Sequence, residues 1–151
     1  MTANNAPTFA IIMLLTGIGI PILAALNGGL GGRLGSPMAA SMILFGLAFL
    51  IATGGALVTG SVGQIRFSSA IPVHFYFGGL FVAFYVIAVT FIAPRFGVGN
   101  AIFFVLVGQL ISAAVIDHFG LFGSLRFPVD AKRLAGIALM VAGVWLARRT
   151  G

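Results

Sequence analysis

Thr8-Phe-Ala-Ile-Ile-Met-Leu-Leu-Thr-Gly-Ile-Gly-Ile-Pro-Ile-Leu-Ala-Ala-Leu-Asn27 carries no charged side chain from end to end. Coiled as a helix at about 1.5 Å per residue, it reaches across the roughly 30 Å hydrocarbon core of a bilayer. No basic side chain precedes it and its apolar run outlasts that of a cleavable leader, so it reads as a membrane span. Residues 38–59, 72–93, 98–116 and 131–147 repeat the pattern. Five spans are therefore expected, in one transmembrane domain over 1–151 with no room for a soluble domain between them. Of the connectors, 28–37 is glycine-rich, 60–71 is polar, 94–97 is very short and 117–130 is the longest and most polar. Gly28-Gly29-Leu30-Gly31-Gly32 lacks the Gly-Lys-Ser/Thr ending of a phosphate loop and reads as a turn.

Of the 151 residues 60% are hydrophobic and 7% are charged, with a mean hydropathy of +1.19. A water-facing surface takes roughly a quarter charged residues, and a disordered chain is far less apolar. Both classes are excluded, which leaves an all-α integral membrane protein. The net charge of +6 would suggest a nucleic-acid partner in a soluble protein. Here the basic residues stand one or two at a time beside apolar runs, the pattern of membrane-flanking arginine, and no nucleic-acid partner is expected. With no cysteine, two histidines and two acids, no metal or cofactor is expected either.

Five spans put the two termini on opposite sides. Arg66, Arg126, Lys132 and Arg133 then share one side, and Arg33, Arg95, Arg148 and Arg149 the other, so the charge bias is nil. Such a chain either inserts both ways, letting two copies pair antiparallel as an inverted repeat, or takes its orientation from hydrophobicity or a partner.

Polar groups at membrane depth are costly and so informative. Gln109 lies at the middle of the fourth span, with Ser112 one turn further on the same face; Tyr85 lies just past the middle of the third. His74, Gly78, Phe81 and Tyr85 share a helical stripe. Pro21 has no N–H, so it frees the Gly17 carbonyl and kinks the first span near mid-depth. Tyr85, Gln109, Ser112, Gly17 and Pro21 are the candidate cavity residues; packing by hydrogen bonds between helices is the other reading of the side chains. Asn27 either ends the first helix or joins the cavity. Asp117 and His118, at the end of the fourth span, serve as a gate or proton relay, or anchor the helix end through a basic neighbour such as Arg126. No acid lies deep in a span, which favours neutral or anionic cargo. Gly136, Met140, Gly143 and Ala147 form a mostly small-residue stripe in the fifth span, with Trp145 as an interfacial anchor.

Several runs together resemble the YdcZ-type family, a five-helix branch of the drug/metabolite transporter superfamily. They are Gly78-Gly79-Leu80-Phe81-Val82-Ala83-Phe84-Tyr85-Val86, Pro94-Arg95-Phe96-Gly97, Gly108-Gln109-Leu110 and Ile116-Asp117-His118-Phe119-Gly120-Leu121-Phe122-Gly123. In the first half the likeness runs through residues 17–27, Leu34-Gly35-Ser36-Pro37 with Ala39 and Ala40, and Phe45-Gly46. It departs at Leu23, where many YdcZ-type sequences carry Gln four residues before the Asn. The resemblance implies a bacterial inner-membrane half-transporter that pairs as a homodimer or with a paired homologue.

The expected function is that of a small secondary transporter working by alternating access at a dimer cavity, with the lipid bilayer, a second copy and an unidentified small molecule as partners. Two other classes remain: a dual-topology channel for a small ion, and a non-transporting membrane subunit or chaperone. An enzyme is not expected, since Asp117 and His118 have no evident nucleophile or metal beside them.

Overall fold

In the computed structural model, which describes residues 5–65 and 71–147, every regular element is helical. Five α-helices follow in order: α1 (Ala6–Leu34), α2 (Pro37–Val58), α3 (Gly78–Phe96), α4 (Val98–Phe119) and α5 (Ala131–Ala147). Short 3-10 turns at Ser61–Gln64, Val73–Phe77 and Leu121–Gly123 fill the connectors. Among the described residues four helical stretches are long and apolar enough to cross a membrane: Ala6–Leu34, Pro37–Val58, Val73–Phe96 and Val98–Phe119. The fifth expected span is the 17-residue helix α5. Arg66, Arg148 and Arg149, three of the residues in the charge count, lie outside the described residues.

The chain forms two compact units. One is Ile22–Arg95; the other joins the chain up to Pro21 with the chain from Phe96 onward. The chain passes between them inside α1, at Pro21, and at the end of α3, one residue after Pro94.

Burial is inverted relative to a soluble domain. Leu14, Leu26, Phe84 and Leu139 are each at least two-thirds exposed, whereas the largest fully buried side chains are Thr90 and Ser41. Large aliphatic groups gain little by leaving lipid, so small residues pack inside and polar ones bond within the protein. The hydroxyls follow this rule by folding back on their own helices. Ser41 donates to the Pro37 carbonyl at 2.9 Å and Thr16 to the Ile12 carbonyl at 2.9 Å.

The glycine-rich segment corrects the sequence reading. Gly28–Gly32 is not a turn but the last part of α1, which runs on past Asn27 to Leu34. Glycine is tolerated there because close approach requires it. A Cβ on Gly28 would stand 3.0 Å from Pro94 Cγ, and one on Gly31 would stand 3.2 Å from Pro37 Cα and 3.3 Å from Thr90 Cγ2. Likewise α3 continues through Pro94 to Phe96 rather than stopping at residue 93.

The true turn is Leu34-Gly35-Ser36-Pro37. Gly35 takes a left-handed φ of 66°, and Ser36 N–H reaches back to the Gly31 carbonyl at 3.0 Å, closing α1. The Ser36 hydroxyl then caps α2 by accepting from Ala39 N–H at 3.1 Å, with Pro37 in the first helical turn. One helix ends and the next begins within four residues.

Candidate functional site

In the unit Ile22–Arg95 the polar centre is a relay between α1 and α3. Asn27, 5% exposed, donates from Nδ2 to Thr90 Oγ1 at 2.6 Å, and Thr90 donates its hydroxyl to the Val86 carbonyl at 2.6 Å. Asn27 therefore does not end the first helix; it lies inside it, two turns from the C-terminus. It also lines a groove of about 300 Å³ whose walls are Leu23, Leu26 and Leu30 of α1 and Ile43, Leu44 and Leu47 of α2. Tyr85 of the same unit is half-buried, and its hydroxyl is enclosed with no hydrogen-bond partner among the described residues. Of the stripe expected from His74 to Tyr85, Gly78, Phe81 and Tyr85 lie on α3, whereas His74 belongs to the 3-10 turn ahead of it.

The other unit carries Gly17, Pro21, Gln109, Ser112, Asp117 and His118. Gly17 stands in the open, with nothing within 4 Å of an added Cβ, and Pro21 is enclosed within the continuous helix α1. Gln109 and Ser112 are both exposed on α4. Gln109 sits at the centre of that 22-residue helix.

Asp117 and His118 fall in the last turn of α4, and they hold the connector to α5 down. Asp117 Oδ2 pairs with Arg133 Nη2 at 2.6 Å, each side chain about a third exposed. Its backbone carbonyl accepts from Phe127 N–H at 2.8 Å. His118 Nδ1 accepts from Val129 N–H at 3.0 Å, so that nitrogen carries a lone pair toward the connector. The His118 carbonyl accepts from Arg126 Nε at 3.2 Å. The partner of Asp117 is thus Arg133 and not Arg126. Asp130 Oδ1 caps α5 through Arg133 N–H at 2.7 Å. Gly120, with φ 64°, closes α4 by donating its N–H to the Ile116 carbonyl, and Phe122 adopts φ 57° in the turn that follows.

The model of a family described as "Putative inner membrane exporter, YdcZ" matches residues 8–146. The chain belongs to the YdcZ family. No curated protein and no solved structure matches it. As a YdcZ-family chain it is a multi-pass protein of the inner membrane, helical throughout its described regular elements, in a family described as exporters.

Within this YdcZ-family chain, Asn27 is brought to a groove, whereas Tyr85 and Gln109 belong to different units. The sequence reading missed Thr90 and Arg133. Thr90 had a legible signal, a hydroxyl in an apolar run five residues after Tyr85. Arg133 lies 16 residues from Asp117, a pairing that only the folded connector creates. Replacing Asp117 by Asn is expected to lower stability by about 1 kcal/mol, the upper end for an ion pair that solvent still reaches. Thermal unfolding in detergent, compared with Arg133→Gln and the double variant, measures it; the double variant costs no more than either single one.

Proposed function

We propose that this chain is a small secondary transporter that moves a small molecule across the inner membrane by alternating access, as a pair of copies in opposite orientations. The observation that carries the reading is Gln109. An amide at the centre of an apolar helix, exposed on its own chain, cannot stay in hydrocarbon without a cost of several kcal/mol. It needs a second protein surface, water or cargo. A two-fold axis in the membrane plane brings mid-depth groups of two copies to the same depth, and a carboxamide is complementary to itself. The balance of basic residues supports the opposed pairing.

In this reading Gln109, Ser112 and Tyr85 are polar contacts of the transported molecule, and Asn27 belongs to its binding surface. Gly17 and Pro21 supply the weak point of α1, where a missing N–H loosens the helix at the passage between the two units. Asp117 and His118 form a gate whose latch is the strapped connector.

Counterflow in proteoliposomes, run with a panel of labelled neutral and anionic small molecules, tests the reading. Saturable uptake accelerated by unlabelled molecule inside is expected. Linear, non-saturating flux would instead make the protein a channel. Orientation is tested separately: cytoplasmic and periplasmic reporters fused to either terminus should both be active in the native chain. Two lysines added after Arg149 should leave only the cytoplasmic reporter active at that end. Continued activity of both would remove the charge argument.

A further inference from the structure

We infer that the groove between α1 and α2 is a subsite for the transported molecule, and that the part of the molecule it takes is neutral and apolar apart from a hydrogen-bond donor such as a hydroxyl, phenol or amide N–H. The inference rests on the transporter reading and adds the chemistry of the cargo.

The argument starts from one proton. A threonine hydroxyl has a single hydrogen, and that of Thr90 goes to the Val86 carbonyl at 2.6 Å. Toward Asn27, Thr90 Oγ1 can therefore only accept, which fixes the Asn27 amide with its NH2 on Thr90. The other end of the amide, Oδ1, meets no donor among the described residues. It is not sealed off either, since the enclosed, unpartnered side-chain atom of the described residues is Tyr85 Oη. The cavity that Asn27 lines is the groove. The amide is held in this orientation by its 2.6 Å bond to Thr90.

A groove of about 300 Å³ walled by leucine and isoleucine thus presents one carbonyl acceptor. That volume lies at the small end of ligand cavities. A lone acceptor in apolar walls selects a donor and rejects an anion, whose own lone pairs would face it. A cation finds no counter-charge in the lining of the groove, which contains no acid.

The test uses 4-propylphenol and its methyl ether, a pair alike in shape that differ in the donor. Binding is measured by titration into nanodiscs holding the full chain, with empty nanodiscs as the blank. The phenol should bind about tenfold more tightly than the ether, the size of one hydrogen bond to an otherwise unmet acceptor. Bilayer partitioning acts in the opposite direction, because the ether is the more lipophilic. Asn27→Leu should erase the difference. Leu47→Trp, which fills the groove and leaves the Asn27–Thr90 bond untouched, should abolish binding of both probes even if Asn27→Leu does not fold. Equal binding of phenol and ether to the native chain, or binding unchanged by Leu47→Trp, overturns the proposal. Selective binding of a phenol that neither crosses the membrane nor inhibits counterflow leaves the site standing and removes the transporter reading.

Discussion

Replacing Gly31 by leucine is expected to destabilise the protein by about 1–3 kcal/mol, the usual penalty of overpacking. The two nearest neighbours of a Cβ at this position cannot both yield. One is the Cα of Pro37, at 3.2 Å, which is backbone fixed by the capped start of α2; the other is the Thr90 methyl, at 3.3 Å, whose rotamer is set by its bonds to Asn27 and Val86. Pushing α1 away from either would lengthen the Asn27–Thr90 hydrogen bond and leave a buried amide unmet, which costs more than the steric strain alone. Gly29 and Gly32 make the matched control, because they lie in the same two turns and meet nothing within 4 Å. Alanine there should leave stability unchanged or raise it by up to about 1 kcal/mol through helix propensity. Thermal unfolding of the three variants in one detergent reads out the contrast. Equal behaviour at positions 29, 31 and 32 would show that these glycines serve a flexible turn after all.

The second large effect is on activity. Gln109→Leu and Tyr85→Phe should each lower the counterflow rate about tenfold to hundredfold, the range set by leaving one polar partner unmet in an apolar site. Insertion and yield should hold, since both substitutions make a spanning helix more apolar. The two differ in kind. Tyr85→Phe removes an oxygen that is enclosed and has no partner among the described residues, so the change should be neutral or favourable to stability. Its loss of transport would therefore report on cargo or on a conformation in which the hydroxyl finds its partner. Gln109→Leu removes an amide that the chain itself exposes. If Gln109 serves only to glue two copies together, the variant lowers dimer stability while the affinity for cargo stays the same. Native transport by both variants would fail the assignment outright.

Hydropathy made the membrane class legible at once, because apolar length is a local property of sequence. The helix ends were less legible. The run Gly28–Gly32 has the composition of a turn, and what makes it helical is the Pro94 ring and the Thr90 methyl, more than fifty residues away. Leu34-Gly35-Ser36-Pro37, by contrast, announces its turn locally, with a left-handed glycine, a capping serine and a proline in the first turn. The polar residues divide in the same way. Gln109 and Tyr85 stood out because their depth can be counted along the chain. The roles of Asn27 and Asp117 depended on Thr90 and Arg133, and no periodicity links those pairs.

The length of α1 has a consequence for the bilayer itself. Its 29 residues make a helix about 44 Å long, whereas the 22 residues of α2 and of α4 make about 33 Å, close to the thickness of a typical hydrocarbon core. The surplus of α1 must be absorbed by tilt or by emergence at the membrane face. Its C-terminal part is where Asn27, Gly28 and Gly31 meet α3. Thickening or thinning the surrounding lipid therefore bears on that junction directly, and makes acyl-chain length a variable of the protein's own geometry.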